Sequence, residues 1–185
     1  MLRDLVRSSA VAAVLLCAVG GSAAADEKEF ILALDPAFGF VVDGDRHAWG
    51  GGTGLDLSYG VTDALAVRAT GAFTAHNLPA TKDLVGGLLT AWHAGVGITY
   101  AVDATRLVPY FDLAVGLLGR TEPVKGGGNK AGYDFGAEIG IGVDYLITRR
   151  WAVGFVVRYH AYLTNITQLP VYLYAGPRIA IHFGG

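Results

Sequence analysis

From Phe30 to Phe183 the chain repeats one pattern: a bulky apolar residue at every second position, with glycine, alanine or a charged residue between. Period two is the signature of strands, because successive side chains of a strand point to opposite faces. The pattern divides into eight segments, Phe30–Val41, Ala48–Gly60, Leu65–His76, Gly87–Tyr100, Leu107–Gly119, Ala131–Tyr145, Trp151–Tyr162 and Val171–Phe183. Their connectors alternate. "VTD", "AVDATR" and "LITRR" are short, whereas "VDGDRH", "NLPATKDLVG", "RTEPVKGGGNK" and "LTNITQLP" are longer and more polar. Consecutive hairpins with turns of unequal length at the two ends are expected, and helices are not.

The two faces of each segment differ sharply. In the sixth, Tyr133, Phe135, Ala137, Ile139, Ile141, Val143 and Tyr145 form one face. Gly132, Asp134, Gly136, Glu138, Gly140, Gly142 and Asp144 form the other. No segment carries Asp, Glu, Lys or Arg on its bulky face. A soluble barrel or sandwich would turn the bulky face inward and show water a face rich in Lys, Glu, Ser and Thr. Here the second face is mostly Gly and Ala, which suits the narrow interior of an eight-stranded barrel. The bulky face then meets lipid. Aromatic residues gather near the segment ends, as interfacial girdles do. Tyr59, Tyr100, Tyr145, Trp151 and Phe183 lie near the short turns, and Phe38, Trp49, Phe73 and Tyr133 near the longer loops. The predicted fold is all-β: an eight-stranded, antiparallel, up-and-down transmembrane β-barrel.

The 185-residue length fits one domain, and the first residues fall outside the repeat. Arg3 and Arg7, the apolar run "AVAAVLLCAV" and the small residues of "SAAAD" read as a secretory signal. The expected cut follows Ala25, leaving residues 26–185 as the barrel domain and residues 1–25 as the cleaved signal peptide. Cys17 as a lipoprotein cysteine is the weaker alternative, since Leu16 precedes it. With Arg3, Arg7 and Asp4 removed, the 14 basic and 16 acidic residues become 12 and 15, a charge of −3. That balance gives no reason to expect a nucleic-acid partner. Cys17 is the single cysteine, so no disulfide or thiolate site is expected after cleavage.

With its eight alternating segments and turn phrases such as "YGVTDALAVRA" and "DYLITRRWAVGF", the chain resembles the small outer-membrane β-barrel proteins. That broad group includes the transmembrane domain of outer membrane protein A. The resemblance covers residues 30–183 and is one of pattern. It implies a location in the outer membrane of a Gram-negative bacterium, with chain ends and short turns on the periplasmic side. It also implies outer-membrane lipids and the barrel-assembly machinery as partners, and a charged, plugged interior. Such barrels end on an aromatic residue; here Gly184 and Gly185 follow Phe183. No peptidoglycan-binding domain is expected after the barrel.

The charges on the small face need partners, because a lone charge in a narrow lumen is costly. Placing Tyr145 opposite Trp151 sets Glu138 across from Arg158, and Gly60 opposite Ala64 sets Asp56 across from Arg68. A four-residue turn at Ala101–Ala104 sets His93 across from Asp112. Barrel closure brings Asp35 near Arg178. Directly opposed Cβ atoms are about 5 Å apart, within reach of an ion pair. These eight residues form the expected lumen charge network, and Trp49, Tyr59, Tyr100, Tyr145, Trp151 and Phe183 the expected interfacial girdle. A gated polar pathway for small solutes is the alternative use of the same charges.

Catalytic signals are poor. Ser58 is the only serine beyond residue 25, it falls near a periplasmic turn, and neither G-x-S-x-G nor H-x-S occurs. His76, His93, His160 and His182 share the small face, but on four strands at different heights they are not expected to converge on a metal. "WGGGTG" and "KGGGNK" lack the GK[ST] ending of a phosphate loop. "NIT" at Asn165–Thr167 matches a glycosylation sequon by letters only. No cofactor is expected. The expected role is non-catalytic: envelope structure, or surface interaction with an unidentified ligand through outer loops of about 6 to 11 residues.

Overall fold

A computed structural model describes residues 28–43, 46–80, 85–102, 105–125, 127–163 and 171–184. The signal segment and the sequon at Asn165–Thr167 lie outside the described residues. Eight strands are present: β1 Phe30–Asp43, β2 Arg46–Gly60, β3 Leu65–Leu78, β4 Gly87–Ala101, β5 Leu107–Pro123, β6 Asn129–Leu146, β7 Trp151–Tyr162 and β8 Val171–Phe183. Each pairs antiparallel with its sequence neighbour, and β1 pairs with β8, closing the barrel in the order β1 to β8. Closure matters in a membrane because an open edge would leave backbone groups unpaired in lipid.

The bulky face points outward. Leu55, Leu57, Val96, Ile98, Leu113, Val115, Ile139 and Ile141 are exposed on the barrel wall, while Asp35, Asp56, Asp112 and Arg158 are almost completely buried inside it. A water-soluble fold would reverse this order, so the outer surface is built for hydrocarbon. Around it, Trp49 is exposed and packs on Phe40 with ring centroids 4.7 Å apart. At the other end Tyr59 packs on Phe30, also at 4.7 Å, and Phe30 pairs with Phe183 across the closing seam. Tyr100, Tyr145 and Trp151 are exposed at that same end. Val115 faces outward near the middle of β5, between Val96 and Ala137 in register. Val115→Arg should therefore destabilise the barrel in a bilayer by about 2–4 kcal/mol. Urea titration in lipid vesicles would read this, and an unchanged midpoint would contradict a lipid-facing Val115.

An eight-stranded barrel is strongly curved, and glycine supplies the close approach that this demands. A Cβ on Gly52 would overlap the carbonyl of Phe73, and one on Gly97 the carbonyl of Leu113. Both glycines face inward, where the sheet bends most tightly. At the tip of the β5–β6 hairpin, Gly127 and Gly128 take φ values of +86° and +99°, which glycine adopts readily.

Two expectations about connectors change. The pairing of β1 with β2 continues into "VDGDRH", as far as Asp43↔Arg46. Likewise β5 and β6 pair as far as Pro123↔Asn129, leaving 124–128 as the tip. β5 and β6 run 17 and 18 residues, well beyond the roughly 9–11 that a tilted strand needs to cross hydrocarbon. Above the lipid, backbone pairing continues although the side chains turn polar, which ends the apolar alternation before the strands end. The short turns are also larger than their letters suggest. In 61–65 and again in 147–151, the first two residues donate backbone N–H groups to the carbonyl of the last: Val61 and Thr62 to Leu65, Ile147 and Thr148 to Trp151. The threonine Oγ1 accepts from the fourth and fifth residues, at 3.3 and 3.0 Å in one turn and 3.2 and 3.1 Å in the other. This repeated threonine-capped turn shifts each register by two residues from a tight hairpin.

Candidate functional site in the barrel lumen

The register shifts decide who faces whom. Asp56 faces Thr70 rather than Arg68, and Glu138 faces His160 rather than Arg158. Between β4 and β5 the pairing runs on past Tyr100. Ala101 pairs with Tyr110, and the Val102 N–H donates to the Pro109 carbonyl at 2.9 Å. His93 consequently faces Leu118, and Asp112 faces Thr99, whose hydroxyl donates to it at 2.7 Å. The expected His93–Asp112 pair is not formed. The paired stretches Leu34↔Ile179 and Phe38↔Ala175 flank Asp35 and Arg178, and these two lie 3.2 Å apart.

The charges nevertheless meet, because long guanidinium arms reach diagonally and across the lumen. Asp56 is the hub: it accepts from Arg68 at 2.7 Å, from Arg178 at 2.8 Å and from Arg158. Arg158 also holds Asp35 at 2.7 Å and lies 3.5 Å from both Asp112 and Glu138. Arg68 reaches Asp112 and Glu138 at 2.9 Å each. Arg178 reaches Asp144 at 3.2 Å and packs its guanidinium 5.3 Å from the Tyr110 ring centre. Burial strengthens each attraction and makes any unpaired member costly. The arginines supply flat, multidentate donors, which lets one carboxylate serve several of them.

Above this layer the lumen closes in stages. His160 stacks on Tyr172 at 4.7 Å, and Tyr172 shares a hydrogen bond of 2.9 Å with Thr74. Val41, Ala48, Leu78, Leu89 and Ala91 then form an apolar lid with Tyr172. Further out, Arg46 lies 3.7 Å from Glu122. Within the charged layer, the Tyr174 hydroxyl donates to the Asp35 carbonyl, and its ring packs with Ala37, Ala72, Tyr110 and Val156. Below, a cavity of about 50 Å³ lies beside Ser58, Asp144, Arg178 and His182, and His182 is 3.1 Å from Glu29. Ser58 faces Arg68 across the β2–β3 ladder, near the short-turn end.

Eight lumen residues were expected to carry the network, and all eight lie in one connected buried cluster. Asp144, Tyr110 and Tyr174 join it as well. Alternation places Asp144 on the inner face; its partner is not readable from it. The histidine expectation is corrected. His93 and His160 do converge, with Nε2 atoms 2.9 and 3.0 Å from the same Glu138 oxygen, while His76 and His182 lie elsewhere. Strand tilt and the register of β4 to β7 bring residues at distant sequence positions to one height.

Comparison with known proteins follows the same lines. The family model described as "Outer membrane protein beta-barrel domain" matches residues 9–174. A search of curated proteins finds no match. Among solved structures, neisserial surface protein A is similar at TM-score 0.65 and 16% identity, over 85% of this chain and 100% of that one. Ail, the attachment invasion locus protein of Yersinia pestis, is similar at TM-score 0.61 and 14% identity, over 85% and 99%. OprG of Pseudomonas aeruginosa is similar at 0.57 and 13%, over 87% and 99%. At such identities the likeness is one of fold.

Proposed function

The chain belongs to the outer membrane protein β-barrel domain family, and from that premise we propose that it is a closed, non-catalytic barrel of the outer membrane. Its role is envelope structure or surface interaction through its outer hairpins, with outer-membrane lipids around its girdles and the barrel-assembly machinery as its folding partner. The observation that carries this reading is the filled lumen. Three arginines converge on Asp56, all with side chains less than a tenth exposed, and Tyr172 and the apolar lid close the path above them. A permeating ion would have to displace those paired groups, and each buried partner left alone costs several kcal/mol. Ail, by its name an attachment protein, supports the view that a barrel of this size can serve at a surface.

The lumen reading is tested in planar bilayers. Purified protein should insert without steady single-channel openings across the physiological voltage range. Reproducible unitary steps that scale with salt concentration would instead support the narrow channel.

A further inference from the structure

We propose that His93, His160 and Glu138 form a binding site for a divalent zinc-class cation inside the barrel. The Nε2 atoms of His93 and His160 lie 2.9 and 3.0 Å from Oε2 of Glu138, and the three ligand atoms all lie within 4.8 Å of one another. Bonds of 2.0–2.1 Å in a tetrahedron place neighbouring ligand atoms about 3.3–3.4 Å apart, so small side-chain movements admit the ion. Two imidazoles and one carboxylate leave a fourth position open, as in zinc sites that retain a water. Imidazole donors favour zinc, copper or nickel over calcium or magnesium.

Two further observations point to a cation at this place. The first is charge. Among the described residues, the connected network holds five carboxylates, Asp35, Asp56, Asp112, Glu138 and Asp144, against Arg68, Arg158 and Arg178. Ionised, they leave two negative charges in excess within a buried layer, and one divalent cation on neutral imidazoles removes that excess. The second is space. Beside the three ligands lies a cavity of about 10 Å³, also lined by Thr70, Gly95 and Gly116. Gly95 faces Gly116, and Gly116 faces Gly136, so three adjacent strands present no side chain there. That volume is about the size a single water requires, which suits the fourth ligand. Glu138 divides its work: Oε2 faces the two rings and Oε1 faces Arg68 at 2.9 Å, which fixes the carboxylate's orientation.

The competing account of the same geometry is two imidazole Nε2–H groups donating to the Glu138 carboxylate in place of the metal. The barrel is therefore refolded into detergent with zinc or cobalt(II), freed of excess metal by gel filtration, and assayed for bound metal. The expected result is one metal per barrel, and with cobalt the intense visible bands of a four-coordinate nitrogen and oxygen site. Binding should weaken on acidification, because a protonated imidazole has no lone pair to give the metal. His93→Gln and His160→Gln should each lose at least tenfold in affinity, whereas Lys125→Ala at the exposed hairpin tip should bind as the wild type does. Heat-dependent gel mobility verifies that each variant is folded, and the cobalt spectrum of the wild-type barrel decides the matter even if a variant fails to fold. The proposal is overturned if the wild-type barrel retains no metal, or if the His93→Gln/His160→Gln double variant retains as much. Silence of the lumen in bilayers is a separate readout, so the two proposals fail independently.

Discussion

Asp56→Ala should cost the barrel about 3–5 kcal/mol of unfolding free energy, among the largest effects of any single substitution. Asp56 accepts from Arg68, Arg158 and Arg178, and its side chain is 2% exposed. Removing it takes away the one carboxylate that all three guanidinium groups share, leaving Asp35, Asp112 and Glu138 to hold them two at a time. Arginine does not shed its proton in proteins, so the charge cannot be discharged. Urea titration in lipid vesicles, read by heat-dependent gel mobility in EDTA, measures the effect. Lys125→Ala at the exposed hairpin tip serves as control, with an expected change within about 0.5 kcal/mol. Equal midpoints for the two variants would mean that the ion network does not stabilise the barrel. Acidification from about pH 7 to about pH 5 should not relieve the Asp56→Ala defect, because the three arginines keep their protons.

Arg158→Met should be comparably destabilising near neutral pH, about 3–5 kcal/mol, but its deficit, unlike that of Asp56→Ala, should respond to pH. Arg158 reaches Asp35, Asp56, Asp112 and Glu138 and is 1% exposed. Methionine keeps much of the packing on Tyr174 while removing the charge. The network's five carboxylates would then face only Arg68 and Arg178. Unlike arginine, carboxylates can be neutralised. The folded variant therefore takes up more protons than its unfolded chain, and its deficit should shrink as pH falls from about 7 to about 5. The paired experiment is one titration series at several pH values for both variants. Deficits that move in parallel would show that packing, not charge, sets both costs.

Much of this arrangement is legible in the residues alone. Alternation from Phe30 to Phe183 defines eight strands, and a charge-free bulky face opposite a glycine-rich one defines which side meets lipid. These are local properties: a strand's side chains alternate whatever its neighbours do, and hydrocarbon tolerates no charge on its side. The inner position of Glu138, Arg158 and Asp56 follows from the same parity. Strand ends were less legible, since β5 and β6 continue above the membrane, where polar side chains break the apolar pattern without breaking backbone pairing.

Pairing across the lumen was decided by the tertiary structure. Glu138 meets His93 and His160 because two threonine-capped turns, a longer β4–β5 connection and the tilt of the closed barrel set the relative heights of strands. A shift of two residues keeps every side chain on its own face, so the hydrophobic pattern carries no trace of it. The sequence by itself determined the barrel, its inside and its outside; which buried charges touch, and the two histidines drawn to one carboxylate, depended on register and closure, which no single strand encodes.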